Sequence, residues 1–521
     1  MSYYLGFDLS TQQLKCTVIN DAHDIVLEEA VNFDKDLPEF NTTHGAIVNG
    51  DNVTSPTLMW VKALDILLNK LKAFPHVNSI RGISGAGQQH GSVYWKEQGL
   101  KVLEELDSNK TLFEQLQHAF AIEQSPIWQD ASTTAECRAL EESVGGPEAL
   151  AKLTGSKAYE RFTGNQIAKI YHKNKAAYKE TARINLVSSF VATLLLGKFC
   201  PVDAAEGSGT NMMNIQTHKW ENSLLKKCGG DELLEKLHDE PVEGGTTLGK
   251  ISEYYVKRYG FSDECCIMPF TGDNSATLVS MNLIQGDCVV SLGTSDTVLV
   301  YLKKDSAEPT TESHLMAHPT DTDGYMGMLC YKNGSLARQY IRDSYAEKDW
   351  EKFNQYLVEK EAVLNDYFGF YYWMQEIIPF AKGIYRFKDK QAVEEFDDPF
   401  INVKAIVESQ FMSMKIRLQS MGGETQRILA SGGAAANKAI LKVLSDVFGL
   451  PVYKQKGMNG ASLGGALLAK YGCKKYSSFV EMMKEHPPEG LELVCEPDLK
   501  RTKLYDAHIK EFIELEHQIV K

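Results

Sequence analysis

An apolar strand that enters a small polar turn and returns as a second strand occurs twice in this chain, at positions more than half its length apart. The first copy is Tyr4-Leu5-Gly6-Phe7-Asp8-Leu9-Ser10-Thr11 and the second is Cys288-Val289-Val290-Ser291-Leu292-Gly293-Thr294. A second apolar run follows each turn, over 14–19 and 297–302, so each copy reads as a hairpin with small and hydroxyl residues at its tip. Placing Thr11 on Thr294 aligns both. Solenoid repeats recur every few tens of residues, so a spacing this long points instead to two related domains. A chain of 521 residues is long enough for two hydrophobic cores.

Between and after the hairpins, helix and strand signals alternate. Ser55 reads as an N-cap with Pro56 at the first helical position, and Met59, Ala63, Ile66, Leu67 and Leu71 form the apolar face of the helix that follows. Strands are expected over 80–84, 267–273 and 428–430, the last two leading into helices over 275–283 and 437–448. This is α/β organisation. A polar helix over 508–520 closes the chain, with an apolar stripe that could dock on either domain.

The bulk properties exclude several classes of function. With 55 Lys and Arg against 69 Asp and Glu, the formal charge of -14 opposes nucleic acid and anionic lipid, so no nucleic-acid or membrane partner is expected. The ten cysteines show no CxxC spacing and suit a reducing compartment. The first residues lack the basic and apolar pattern of a secretion signal, and the longest apolar stretch, 186–196, is broken by serines and too short to span a bilayer. The expected setting is cytoplasmic.

Three segments carry candidate phosphate chemistry. In the first hairpin Asp8 ends a strand, Ser10, Thr11 and Gln12 occupy the tip, and Lys15 lies on the returning strand. Such a tip can face a polyphosphate, with N–H groups and hydroxyls on its oxygens, Asp8 holding Mg²⁺ through water and Lys15 adding a charge. The same residues also make a plain surface hairpin, because Asp and Ser are common turn formers. The second hairpin, with Gly293, Thr294 and Ser295 at its tip, supplies a partner for the first. Ser431-Gly432-Gly433-Ala434-Ala435-Ala436-Asn437 then joins a strand to a helix through a turn whose missing side chains let a base or ribose approach the backbone. Gly244-Gly245-Thr246-Thr247-Leu248-Gly249-Lys250 imitates a P-loop, but Ile251 stands where the metal-binding hydroxyl belongs.

Two strand ends suit a small polar ligand, since α/β sheets bind ligands at the carboxyl ends of their strands. One is Ser84-Gly85-Ala86-Gly87-Gln88-Gln89-His90-Gly91, where Gln89 and His90 offer hydrogen bonds to hydroxyl groups. The other is Phe270-Thr271-Gly272-Asp273-Asn274, in which Asp273 could equally cap the following helix.

Hairpin, hairpin and Gly-Gly turn in this order resemble the nucleotide clamp of the actin, heat-shock chaperone and sugar kinase superfamily. Together with Ala158-Tyr159-Glu160-Arg161-Phe162-Thr163-Gly164-Asn165, Asp36-Leu37-Pro38-Glu39-Phe40 and Thr54-Ser55-Pro56-Thr57-Leu58-Met59-Trp60, they resemble the FGGY carbohydrate kinase family nearly end to end, in its animal and fungal ketose kinase branch. The resemblance implies two ribonuclease H-like (actin-like ATPase) domains flanking a central cleft. The expected division is 1–275, carrying most of the sugar site, and 276–521, carrying most of the nucleotide site. It further implies ATP and Mg²⁺ as co-substrate and metal, a ketose, D-xylulose, phosphorylated to its 5-phosphate, and a monomer or homodimer. Asp273 becomes the general base. Gln89, His90, Arg161, Asp273 and Asn274 become sugar contacts, and Trp350, Gly432, Gly433 and Asn437 adenosine contacts. The chain departs from the family at Ser10, where glycine is usual, at Gln13, where a hydroxyl is common, and at His172, where a tryptophan is expected. Other readings are a kinase for ribulose or fructose, a sugar sensor without turnover, and a chaperone-like nucleotide switch.

Overall fold

The computed structural model describes residues 1–358, 367–455, 460–473, 476–487 and 490–520. The chain forms two compact units, the first made of Met1–Asn282, Leu315–Tyr325 and Met458–Pro488, the second of Leu283–His314, Met326–Gly457 and Glu489–Lys521.

The first unit is built on β1 (Tyr3–Leu9), β2 (Gln13–Asn20), β3 (Ile25–Asn32), β4 (Ile80–Gly87), β5 (Gly249–Lys250) and β6 (Cys266–Gly272), in the spatial order β5-β6-β4-β1-β2-β3. β1, β2 and β3 form an antiparallel meander, whereas β4 runs parallel to β1 and β6 parallel to β4. Side chains on β1 alternate between two cores, as the pleat of a strand requires. Tyr3, Leu5, Phe7 and Leu9 enter a core with Trp60 and Phe190, while Tyr4 packs with Ala466 to Ala469 of the helix Ala461–Cys473. At its closest approach that helix leaves no room for a side chain. A Cβ on Gly6 would stand 1.9 Å from the carbonyl oxygen of Ser462, and one on Gly465 would stand 2.5 Å from the Cα of Gly85.

The second unit repeats this plan. Its sheet is made of β7 (Asp287–Leu292), β8 (Asp296–Lys303), β9 (His314–His318), β10 (Asp321–Tyr331), β11 (Arg427–Ser431), β12 (Val452–Gln455) and β13 (Leu491–Cys495), ordered β9-β10-β8-β7-β11-β12-β13, although Leu315–Tyr325, which holds most of β9 and the start of β10, groups with the first unit. β7 and β8 make the hairpin, β11 runs parallel to β7, β12 parallel to β11, and β13 returns antiparallel, as β5 does in the first unit. Both sheets therefore have ribonuclease H-like topology.

The sequence echo needs one adjustment. In the first hairpin Leu9 faces Leu14, whereas in the second Leu292 faces Asp296, so the second turn is one residue shorter. Thr11 on Thr294 aligns the outgoing strands, and the returning strands then need a shift of one. A second adjustment concerns the first helix. Ser55 and Pro56 belong to a strand, Asn52–Pro56, and the helix is Thr57–Leu71. The Ser55 hydroxyl donates to the carbonyl of Gly45 at 2.5 Å, so it is not available to cap. The closing helix is longer than its apolar stripe suggested, Leu499–Ile519, and lies in the second unit, where its Glu516 pairs with the buried Arg417 of the helix Pro399–Ser420. The P-loop look-alike is an ordinary sheet edge, with Gly249 and Lys250 paired to Ile267 and Cys266.

Candidate active site

Three parallel strands of the first unit end side by side. Asp8 on β1 and Thr271 on β6 both flank Ala86 of β4, so the first hairpin tip, the loop Gln88 to His90 and Asp273 emerge at one edge of the sheet. Asp273 is the first residue of the helix Asp273–Ser280, whose N-cap is Gly272. Its carboxylate therefore does not cap the helix. One oxygen accepts the N–H of Asn274 at 2.9 Å, and burial lifts the group to about 6 despite that bond. Asp8 is raised to about 7 by burial and by the charge of Asp273, with Lys15 acting in the opposite direction, and its Oδ1 is buried without a partner among the described residues. An acceptor left bare in this way suits a metal-bound water or a cation.

The loop after β4 is fixed in an unusual shape. His90 has φ 72°, in the left-handed region, and is 3% exposed. Its Nδ1 donates to the carbonyl of Gly209 at 2.8 Å, its own carbonyl accepts from the Thr163 hydroxyl at 2.9 Å, and its ring stacks on Phe162 with centroids 4.4 Å apart. With the proton on Nδ1, the Nε2 lone pair is left to accept a hydrogen bond. Burial and the positive charge of Arg161 hold the imidazole neutral, lowering it to about 3. Arg161 lies over the rings of Tyr159 and Phe162, at 4.8 and 5.5 Å. Asn274 donates to Gln89 Oε1 at 3.1 Å, which leaves the Gln89 amide N–H groups as its free polar end apart from a weak 3.7 Å contact to Met316 sulfur. Gln89, His90, Asp273 and Asn274 are thus joined by direct contacts or strand register, and Arg161 reaches the same group through Phe162 and His90.

At the first hairpin tip, Ser10 closes the turn by bonding the carbonyl of Gln13 through both its N–H and its hydroxyl, Gln12 is exposed, and Thr11 receives the indole N–H of Trp128 at 2.8 Å. Lys15 stands opposite Asp8 in the ladder, but its ammonium is paired with Glu28 at 2.7 Å. Sequence reasoning missed Trp128, because nothing local distinguishes a tryptophan that serves a distant turn from one that covers a core. It also missed Asp203 and Glu206. Asp203 caps a short helix, Ala204–Gly207, through the N–H of Glu206 and accepts the hydroxyl of Thr271 at 2.6 Å. The Asp-x-x-Glu spacing signals such a helix start, though not where it lies.

In the second unit Thr294 and Ser295 are exposed at the tip of the β7–β8 hairpin. The turn is anchored from below. Asp296 makes a bidentate pair with the fully buried Arg338, at 2.6 and 3.0 Å, and Ser335 N–H bonds the carbonyl of Gly293 at 2.8 Å. Gly432 has φ 82°, and a Cβ there would stand 2.6 Å from the carbonyl oxygen of Leu292, so only glycine brings this turn onto the end of β7. Gly433 faces open space. Asn437 caps the helix Lys438–Phe448 through two N–H groups and donates to Asn354 at 2.7 Å. Trp350 begins the helix Trp350–Val358, with the Arg342 guanidinium 4.7 Å from its ring centre.

A duplicated ribonuclease H-like sheet, with coupled aspartates beside a neutral histidine in one copy and a glycine turn against a hairpin in the other, is the architecture of an actin-like sugar kinase. The comparisons with known proteins agree. Residues 114–280 match the N-terminal domain, and 288–473 the C-terminal domain, of the FGGY family of carbohydrate kinases, and the chain belongs to that family. It is 44% identical to the xylulose kinase of Rattus norvegicus, over 99% of this chain and 97% of that protein. It is 41% identical to xylulose kinase 2 of Arabidopsis thaliana, over 100% and 98%. The crystal structure of xylulose kinase from Rhodospirillum rubrum shares the fold with a TM-score of 0.81 at 16% identity, covering 99% of this chain and 98% of that one.

Proposed function

We propose that this chain is a xylulokinase, transferring the γ-phosphoryl group of ATP to D-xylulose to give D-xylulose 5-phosphate. Identity of 40% and more to curated xylulose kinases along nearly the whole chain supports the substrate. The single structural observation that carries the chemistry is Asp273, a carboxylate raised to about 6 beside hydrogen-bonding groups suited to a polyol. Close to neutral pH such a group is ionised and still basic enough to take a proton.

In this reading Asp273 accepts the proton of the terminal sugar hydroxyl as that oxygen attacks phosphorus. His90 accepts a neighbouring hydroxyl at Nε2, while Gln89, Arg161 and Asn274 orient the rest. Bare Asp8 Oδ1 fits a hydrated Mg²⁺, which keeps most of its waters and needs only one or two carboxylates; when bound, the ion neutralises phosphate charge. Ser10, Thr11, Gln12 and Lys15 serve the phosphates, with Lys15 exchanging Glu28 for phosphate oxygen, as do Gly293, Thr294 and Ser295. Gly432, Gly433, Trp350 and Asn437 receive the nucleoside, Gly433 because no side chain stands over it. The enzyme works in the cytoplasm as a monomer or homodimer.

Coupled ADP release across a panel of pentuloses, hexuloses and polyols tests the substrate and the base together. D-Xylulose should give the highest kcat/KM, and Asp273→Ala should lower kcat by about a hundredfold or more while leaving nucleotide affinity near its original value. A higher kcat/KM for ribulose or fructose would overturn the substrate, and undiminished turnover in Asp273→Ala would overturn the base.

A further inference from the structure

Four carboxyl groups gather at the sheet edge of the first unit, from Asp8, Asp203, Glu206 and Asp273, and among the described residues none of them forms an ion pair with lysine or arginine. The cation opposite Asp8 is Lys15, which is held by Glu28. Like charges this close in a dry setting cannot all ionise.

Glu206 is 1% exposed. Its Oε1 accepts the backbone N–H of His90 at 3.4 Å, and its Oε2 has no hydrogen-bond partner among the described residues. A Cβ on Gly272 would stand 2.9 Å from Oε2 and 2.6 Å from Gln89 Cγ and Nε2. The Glu206 carboxyl and the Gln89 side chain therefore close over the backbone immediately before Asp273. One carboxyl group touches both halves of the sugar site, the left-handed His90 turn and the strand end that carries the base.

We propose that Glu206 is a positioning residue that works as an uncharged carboxylic acid, fastening the His90 turn to the end of β6 and keeping its own proton so that Asp273 can release one. The proposal rests on the reading of Asp273 as base and His90 as sugar ligand. Asp203 could hold the proton instead, and the hydrogen bonds decide between it and Glu206. Asp203 accepts the Thr271 hydroxyl at 2.6 Å and the Glu206 N–H at 3.1 Å, and both favour a carboxylate. Glu206 accepts only the long bond from His90. The groups facing it are Asp273, Asp203, the His90 N–H and the Ser188 hydroxyl, which lies beside it outside hydrogen-bonding geometry, and none carries a positive charge. Arg161 lies over Phe162, the ring on which His90 stacks. Burial first, then the charges of Asp273 and Asp203, push the Glu206 carboxyl well above its usual range.

The full-length protein and D-xylulose test this. Glu206→Ala should raise the KM for D-xylulose about tenfold or more with the KM for ATP unchanged, because the His90 turn loses its tether. Glu206→Gln, uncharged and of the same shape, should restore most of the loss and leave the acidic limb of the pH–rate profile where it was. Were Glu206 a carboxylate, the glutamine variant would instead shift that limb to lower pH by removing a negative charge near Asp273, and this shift overturns the proposal. So does a glutamine variant as impaired as the alanine one, or an alanine variant with an unchanged sugar KM. Infrared difference spectra of wild type minus Glu206→Gln give a reading that survives misfolding of the alanine variant. A carboxylic-acid carbonyl band at neutral pH supports the proposal and its absence sinks it. Full turnover in Asp273→Ala would sink the base assignment while leaving the infrared result intact.

Discussion

With Asp273 as the proposed base, its ionisation shapes the pH response to the sugar. A base must be deprotonated to act, so kcat/KM for the sugar should be level above neutrality and fall as pH drops through about 6, losing about a factor of ten per further unit. A pH–rate series with the sugar below saturation measures this, and an acidic limb near 4 would show that burial does not govern the group in the working enzyme. His90 should contribute no second limb in the neutral range, since it is held neutral down to about 3. Its proposed part is geometric. His90→Ala should raise the KM for D-xylulose with little change for ATP. The sequence displayed Gln89, His90 and Asp273 as polar residues at strand ends, because strand-end placement is a local pattern. It did not display Asp203, Glu206 or Trp128. Their roles depend on which distant group they touch: the Thr271 hydroxyl for Asp203, the His90 N–H for Glu206 and the Thr11 hydroxyl for Trp128.

At the level of elements, the second hairpin is steadied by a buried charge pair. Removing one member of such a pair leaves the other unpaired in a dry interior. Arg338→Met should therefore destabilise the fold by about 3–5 kcal/mol, read as a lower denaturant midpoint at unchanged slope, whereas a solvent-screened pair would give almost nothing. Strands that alternate or end in a small polar turn were legible within a residue or two: Gln13–Asn20, Asp296–Lys303 and Arg427–Ser431 contain the expected runs. The start of the first helix was not legible. Ser55 and Pro56 carry a genuine capping signal, but pairing of Asn52–Pro56 with the strands Ile47–Asn49 and Gln124–Pro126 outweighs it. The one-residue difference between the two hairpin turns was also hidden, because small polar residues tolerate either length.

At the scale of the molecule, each unit is assembled from separated stretches of chain. The helix Ala461–Cys473 covers β1 and β4 through contacts so close that Gly6 and Gly465 have no space for a methyl group, Gly465 lying directly on Gly85. It also braces the helix that carries Asp273, with a Cβ on Gly464 falling 1.8 Å from the carbonyl of Ala276. A fragment comprising Met1–Asn282 should consequently fail to fold as a cooperative unit when expressed alone, giving poorly dispersed amide resonances. Supplying the segment Met458–Pro488 in the same polypeptide should restore dispersion. A well-dispersed spectrum from the shorter fragment would show that the late helix is dispensable.

That interleaving has a temporal side. During translation the segments bearing Asp8 and Asp273 leave the ribosome long before the residues that roof them, so the first unit stays open on one face until the stretch up to Cys473 has been made. A chain cut short between Asn437 and Ala461 would keep every residue proposed here for catalysis and still lack the helix that covers β1 and β4.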